Sequence, residues 1–310
     1  MRNEPPVTQP PPCRLFFILA RNAPVGVLFR RGPTRWVQLI RWDTETDTFQ
    51  PGQWFHGRIY EKRGDLSPDG TKLIYFASKQ GRWNGEDAEG FRAEVGQGCF
   101  PLRGRTARTS RYYTPSWTAV SKPPYLTALA LWPKGGDTWN GGGLWETDDR
   151  LWLNHDRGDD RPHQDHLPRG IQVTARVMGG EDELLNHRLE RDGWKKLQPL
   201  RARFWSYVMQ RAGIREKPHP GSGLVLRLTE TVVRFEQTYR FSVRYPDGRE
   251  EPLPDAAWAD WDHQGRLVWV GGGKVFAARP HPDGLRPQEL ADFNSHKPDP
   301  RPSPESARTW

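Results

Sequence analysis

Between His155 and His166 three histidines and four aspartates fall within twelve residues, the densest group of ligating side chains in the chain. Imidazole from His155, His163 and His166 and carboxylate from Asp156, Asp159 and Asp160 are the donor types that hold a divalent ion. Their spacing matches no closed site. Arg157 and Arg161 directly follow two of the acids, which weakens the field a cation would feel, and Gly158 and Pro162 belong to loops. A solvated loop is the expected use, with metal binding by His155, Asp156, Asp159, His163 and His166 as the alternative. The Arg157-Gly158-Asp159 tripeptide reads as coincidence.

Other chemistries lack a signature. The chain has no Gly-x-Ser-x-Gly, and neither cysteine has a His-bearing context of the kind an activated nucleophile needs. Gly135-Gly136 and Gly141-Gly142-Gly143 lack the Lys-Ser/Thr of a phosphate loop, and no cofactor is expected. The segment from Trp132 through Asp137 and Trp139 to Trp145 is glycine-rich. Large rings on such a loop suit a partner-binding surface, with Trp132, Asp137, Trp139 and Trp145 as its candidates. The competing use is an aromatic plug over the sheet beneath.

The formal charge of +8 is unevenly spread. Four arginines and no acid lie between Arg103 and Arg111, and Lys195 to Arg215 adds Lys196, Arg201, Arg203 and Arg211 without an Asp or Glu. These runs make nucleic acid a possible partner through counterion release, and they equally describe arginines coating a surface. Cys13 and Cys99 are far apart with no CxxC spacing, so they read as small hydrophobes in a reducing compartment. Leu15 to Ala20 is far shorter than the ~20 apolar residues a spanning helix needs. Residues 1–13 do not read as a signal peptide. The expectation is a cytoplasmic monomer without membrane contact.

The elements that must position these groups are mostly strands. A hydrophobic fraction of 35% with 15 Trp implies a core built from a few large rings. Trp36, Gln38, Ile40 and Trp42 share one face of an alternating run, and Asp43 to Asp47 forms a turn before Thr48-Phe49. A strand then falls at 57–61. Tyr239, Phe241, Val243 and Tyr245 alternate ahead of Pro246-Asp247-Gly248, a strong hairpin signal. Asp192-Gly193 closes either a third hairpin or a short helix over Glu181 to Arg191. Leu200, Phe204 and Val208 recur every four residues, which predicts a helix over 199–213 packed outside the sheets. The stretch 79–111 reads as a long insertion. Proline-rich residues 1–13 and 297–310 read as a flexible leader and tail around one domain, 14–296.

One segment recurs. Asp65-Leu66-Ser67-Pro68-Asp69-Gly70 is a polar turn that opens into Thr71-Lys72-Leu73-Ile74-Tyr75-Phe76. Weaker copies follow at 144–153 and 260–269, where Pro is missing and Asp-Gly becomes Asp148-Asp149 or Gln264-Gly265. The turn with its strand resembles the repeat of TolB-like and WD-type β-propellers. The resemblance implies an all-β fold: a propeller of about five or six irregular blades, with one short peripheral helix. Trp145, Trp258 and Trp261 would then fill wedges between blades. It further implies a non-enzymatic module that binds a protein partner through loops at one end of the ring. The alternatives are a hydrolase with a polar or metal-assisted axial pocket, and a nucleic-acid-binding protein.

Overall fold

The computed structural model describes residues 11–32, 34–79, 116–135, 138–156, 160–203, 210–233 and 236–310. Runs of aromatic and β-branched residues become strands, and the described residues form five sheets that follow one another along the chain. The first contains β1 (Arg14–Leu19), β2 (Val25–Arg31), β3 (Trp36–Asp43) and β4 (Thr48–His56). The second contains β5 (Arg58–Ile59), β6 (Asp65–Leu66), β7 (Leu73–Ser78), β8 (Ser116–Ser121) and β9 (Ala130–Gly135). The third is β10 (Gly143–Trp145), β11 (Arg150–Leu153) and β12 (Gln172–Ala175), and its β11–β12 pairing is parallel.

A helix, α1 (Glu181–Arg191), precedes the fourth sheet of β13 (Lys195–Arg203), β14 (Gln210–Pro218), β15 (Val225–Val233), β16 (Glu236–Arg244) and β17 (Glu250–Leu253). The fifth is β18 (Trp258–Trp261), β19 (Leu267–Gly271), β20 (Lys274–Ala278) and β21 (Gln288–Asp292). Both expected hairpins form, β3–β4 and β16–β17. The insertion expected at 79–111 lies outside the described residues apart from Lys79. No described helix is long and apolar enough to cross a membrane.

The three recurrent segments occupy equivalent places. Each is the turn between the first two strands of its strand–turn–strand unit: β6–β7, β10–β11 and β18–β19. A backbone bond closes each, one residue wider in the first copy: Ser67 N to Lys72 O (2.8 Å), Glu146 N to Arg150 O (2.9 Å) and Asp262 N to Arg266 O (2.9 Å). In the first copy Gly70 sits at φ 74°, a conformation in which a side chain is strained. Burial works to raise the Asp69 carboxyl, but donors from Ser67 and Thr71 outweigh it and hold it below its ordinary range.

A carboxyl depressed in the folded state stabilises above its unfolded pKa, ~3.9 for Asp. That contribution disappears as pH falls through the lower folded value. Asp69→Asn should therefore lower the melting temperature at neutral pH, with the gap to wild type closing below about pH 4. A gap constant from pH 7 to pH 3 would refute this.

Sheets one, two and five are covered on both faces. Val27, Leu28 and Phe29 are successive and buried, as are all residues of β7 and most of β19. Successive buried residues on a two-faced strand require packing above and below it. Large rings supply much of that packing, as the composition predicts. Trp258 of the fifth sheet meets Phe16 of the first at 4.7 Å and Phe241 of the fourth at 5.8 Å between ring centroids. β1 packs on β18 and β19, so the first and last sheets are neighbours.

Turns and strand ends on one side of the sheets also bond from sheet to sheet: Asn22 N to Pro68 O (2.9 Å), Asp69 N to Asp148 Oδ1 (2.8 Å), Lys217 Nζ to Asp260 Oδ1 (2.6 Å), and Arg266 Nη1 to Asp47 Oδ2 (2.7 Å).

Two helix expectations need correction. Residues 199–203 and 210–213 are strand, part of the β13–β14 hairpin, while Phe204 and Val208 lie outside the described residues. β14 pairs with β13 and along its whole length with β15, and these ladders hold both ends of the expected helix in strands. The helix is α1 instead, and it is not peripheral. Its acids Glu181, Asp182 and Glu183 open the first turn and Arg188 and Arg191 close the last, as the helix dipole favours.

Leu184, Leu185, Arg188 and Leu189 are buried, Leu185 and Leu189 in the main hydrophobic cluster and Leu184 with Leu144 and Met178. Arg188 lies over Phe16 of the first sheet (5.4 Å) and donates to Gly64 O beside the second. Arg191 donates to Trp145 O of the third (2.9 Å). Asn186 accepts from Arg215 of the fourth. Arg188 and Leu189 share a cleft with Trp258 and Asp260 of the fifth.

The C-terminal segment also departs from expectation, because it is docked rather than free. Gln53 Nε2 donates to Arg301 O (3.2 Å), Thr127 Oγ1 to Ser303 Oγ (2.8 Å) and Lys122 Nζ to Ser306 O (3.2 Å). Ser303 and Ala307 are buried, and Trp310 packs on the cluster containing Trp132 and Trp145. Prolines supply pre-extended backbone, which lowers the entropy lost on docking. Residues 1–10 of the expected leader lie outside the described residues, and Cys13 is buried, its N–H donating to Asn294 Oδ1 (2.9 Å).

Candidate functional site

α1 ends at Asp192-Gly193, with Gly193 at φ 93°. Three amides close its last carbonyls: Asp192 N to Arg188 O (2.9 Å), Gly193 N to Glu190 O (3.3 Å) and Trp194 N to Leu189 O (2.9 Å). Directly over this end, on the side of the sheet-to-sheet turns, opens a cleft of about 470 Å³. β1 and the turn after it contribute Phe17 to Arg21, α1 and its cap contribute Arg188, Leu189 and Arg191 to Gly193, β14 contributes Lys217, and the fifth sheet contributes Trp258 and Asp260 to His263.

A buried ion pair braces the floor. Asp65 is fully buried and accepts from Arg191 Nη1 (2.5 Å), Arg191 Nη2 (2.9 Å) and the backbone amide of Trp145 (2.8 Å). Arg191 Nε also donates to Asp192 Oδ1 (2.8 Å). Burial opposes charge on Arg191, but the two carboxylates outweigh it and hold the guanidinium protonated. Burial is the stronger influence on Asp192 and pushes its carboxyl above the ordinary range despite Arg191.

Two further arginines line the cleft without a carboxylate of their own. Arg21 Nη2 donates to the carbonyls of Trp145 (2.8 Å) and Glu146 (2.9 Å), while its buried Nε has no partner. Arg188 is 3% exposed, and among the described residues its guanidinium donates from Nη1 to Gly64 O. Burial pushes both guanidinium pKa values down; Arg191 adds to the effect at each, while Asp65 and Asp192 oppose it.

The residues singled out from sequence lie elsewhere. Trp132 and Trp145 are 1% and 0% exposed, which corrects their reading as partner-binding rings: they are core. Trp139 is 77% exposed, on the loop whose Thr138 and Asn140 carbonyls accept from Arg63 Nη1 (2.8 and 3.3 Å). That loop precedes β10, at the opposite end of the strands from the cleft. Asp137 and Asp159 lie outside the described residues.

The histidine segment does not converge on the cleft, the placement that would favour an axial hydrolase. His155 is buried with Nε2 2.8 Å from Thr118 Oγ1. Asp156 accepts from Asn140 Nδ2 (3.0 Å), and the rings of His163 and His166 lie 5.7 Å apart. Burial, and then His163, hold the His166 pKa down. Among the described residues no three His, Cys, Asp or Glu side chains group as metal ligands.

Sequence reasoning missed Arg21, Arg188, Arg191 and Asp192. One signal was available for Arg188, which follows Leu184 by four residues and Leu185 by three, so it falls on the apolar stripe of α1. An arginine on a buried stripe marks a paired or functional charge. No protein-family model matches the chain, and neither does any curated protein.

Proposed function

We propose that the five sheets are the blades of a β-propeller wound around α1, and that the protein is a binding module that captures a protein partner at the turn end of the ring. The ring reading is supported by sheets that follow chain order, by turn-to-turn bonds and by the packing of β1 on the fifth sheet. The resemblance of the Ser67-Pro68-Asp69-Gly70 turn to TolB-like and WD-type repeats agrees with it.

The observation that carries the functional reading is the 470 Å³ cleft at that end, with Arg21, Arg188, Lys217 and Trp261 on its wall. A concave site with a few convergent polar groups is where a rigid scaffold binds. Fold alone would not argue this.

The test uses tagged wild type, His263→Trp at the exposed rim of the cleft, and Trp139→Ala at the opposite end. Each is used to capture partners from lysate with and without nuclease. One protein should be retained by wild type and Trp139→Ala and reduced at least tenfold by His263→Trp. Loss with Trp139→Ala and retention with His263→Trp would move the site to the other end. Recovery of nucleic acid alone would favour the arginine segments.

A further inference from the structure

We infer that the pocket between the first sheet and the docked C-terminal segment is a second binding site, which takes an extended proline-rich peptide. It shares no residue with the cleft over α1, so its test is separate from that of the cleft.

The pocket has a volume of about 790 Å³, within the range of sites that enclose a ligand. β3 and β4 form one wall with Gln38, Pro51 and Trp54, Tyr125 adds an edge, and Pro302 and Pro304 of the C-terminal segment supply the other wall. Gln38 and Trp54 are paired across β3–β4 and so share a face. Both are deeply buried, at 4% and 9% exposure.

Gln38 Oε1 accepts from His296 Nδ1 (2.8 Å), which leaves the amide nitrogen on offer. Among the described residues no acceptor meets Gln38 Nε2 or Trp54 Nε1, and neither belongs to the fully enclosed orphan atoms of the protein. Each therefore opens to the pocket. On the tail wall Arg301 is paired with Asp299 (2.6 Å), and Lys297 is exposed to water, so the inner donors are the neutral ones.

An indole N–H can only donate, and the free end of Gln38 is likewise a donor. The wall therefore calls for carbonyl acceptors on a ligand with apolar faces that pack on Trp54, Tyr125 and three proline rings. A polyproline-II chain has both properties. Its carbonyls make no internal hydrogen bonds, and proline carries no N–H that would need an acceptor. Its backbone is already extended, so little order is imposed on docking.

The protein's own tail shows the surface holding such a chain. Prolines recur at 298, 300, 302 and 304, and Pro304 has polyproline-II dihedrals (φ −65°, ψ 161°). Gln53, next to Trp54 in β4, donates Nε2 to Arg301 O (3.2 Å). The ligand makes the same kind of contact with Gln38 and Trp54.

The test is titration calorimetry of the full chain with three ten-residue peptides, polyproline, alternating Ala-Pro and alternating Gly-Ser, and with cellotetraose. The proteins are wild type, Trp54→Phe, Gln38→Leu and His263→Trp, each checked by thermal denaturation. Trp54→Phe removes the N–H and keeps a buried ring, so it decides the matter should Gln38→Leu fail to fold.

At least one proline peptide should bind wild type and His263→Trp alike. It should bind Trp54→Phe about fivefold to tenfold more weakly, the loss expected for one neutral hydrogen bond in a buried site. Gln38→Leu should show a loss of the same order, and the Gly-Ser peptide should not bind.

No binding of either proline peptide at millimolar concentration overturns the inference, as does equal affinity for wild type and Trp54→Phe. Gly-Ser bound as tightly as the proline peptides would overturn the proline chemistry. Binding of cellotetraose alone would make the pocket a saccharide site instead. Loss with His263→Trp but not with Trp54→Phe would place the peptide in the cleft over α1 and reject this pocket.

Discussion

Asp65→Ala will destabilise the protein by about 3–5 kcal/mol, the range for breaking a buried ion pair from one side. The carboxylate is fully buried and accepts three hydrogen bonds, two from Arg191 and one from the Trp145 amide. Removing it leaves Arg191 in the floor of the cleft with only Asp192 as a counter-ion, and it strands a buried backbone donor.

The magnitude comes from the orphaned charge more than from the attraction that is lost. Arg191→Met in the Asp65→Ala background should therefore recover part of the loss, since two apolar groups replace a broken pair. Urea denaturation of the two single variants and the double variant measures this. A loss under about 1 kcal/mol for Asp65→Ala would place the pair among exposed ones and remove the brace proposed for the floor.

The second large effect separates two tryptophans that the sequence treats alike. Trp145→Ala will cost about 3–5 kcal/mol, as truncation of a core Trp does, because its ring is fully enclosed with Leu151, Leu153, Trp132 and the docked Trp310. Trp139→Ala, at a ring 77% exposed, should stay within about 0.5 kcal/mol of wild type. The same denaturation curves test both. Comparable losses at the two positions would mean that Trp139 is structural, and a small loss at Trp145 would contradict its place in the core.

The contrast shows what was legible before the structure. Patterns of period two with a turn signal were read correctly at β3–β4 and β16–β17, because alternation and turn chemistry are local. The turn repeat at 65–76, 144–153 and 260–269 marked equivalent strand pairs for the same reason.

For Trp132 and Trp145 the sequence left a partner-binding loop and a buried plug side by side, since a glycine-rich neighbourhood looks the same whether its rings point inward or outward. Leu200, Phe204 and Val208 looked helical, but Leu200 lies in β13 and residues 210–213 in β14, where pairing with the neighbouring strand decides the structure rather than a side-chain stripe. The cleft was hidden for a related reason. Arg21, Arg188 and Lys217 are far apart in sequence and meet only because β1, α1 and β14 end at the same place.

α1 has one more consequence. Its side chains stack over Phe16, bond to the carbonyls of Gly64 and Trp145 and accept from Arg215, so one short helix ties four stretches of chain that are far apart in sequence. It works as a clasp: fraying it releases all four together.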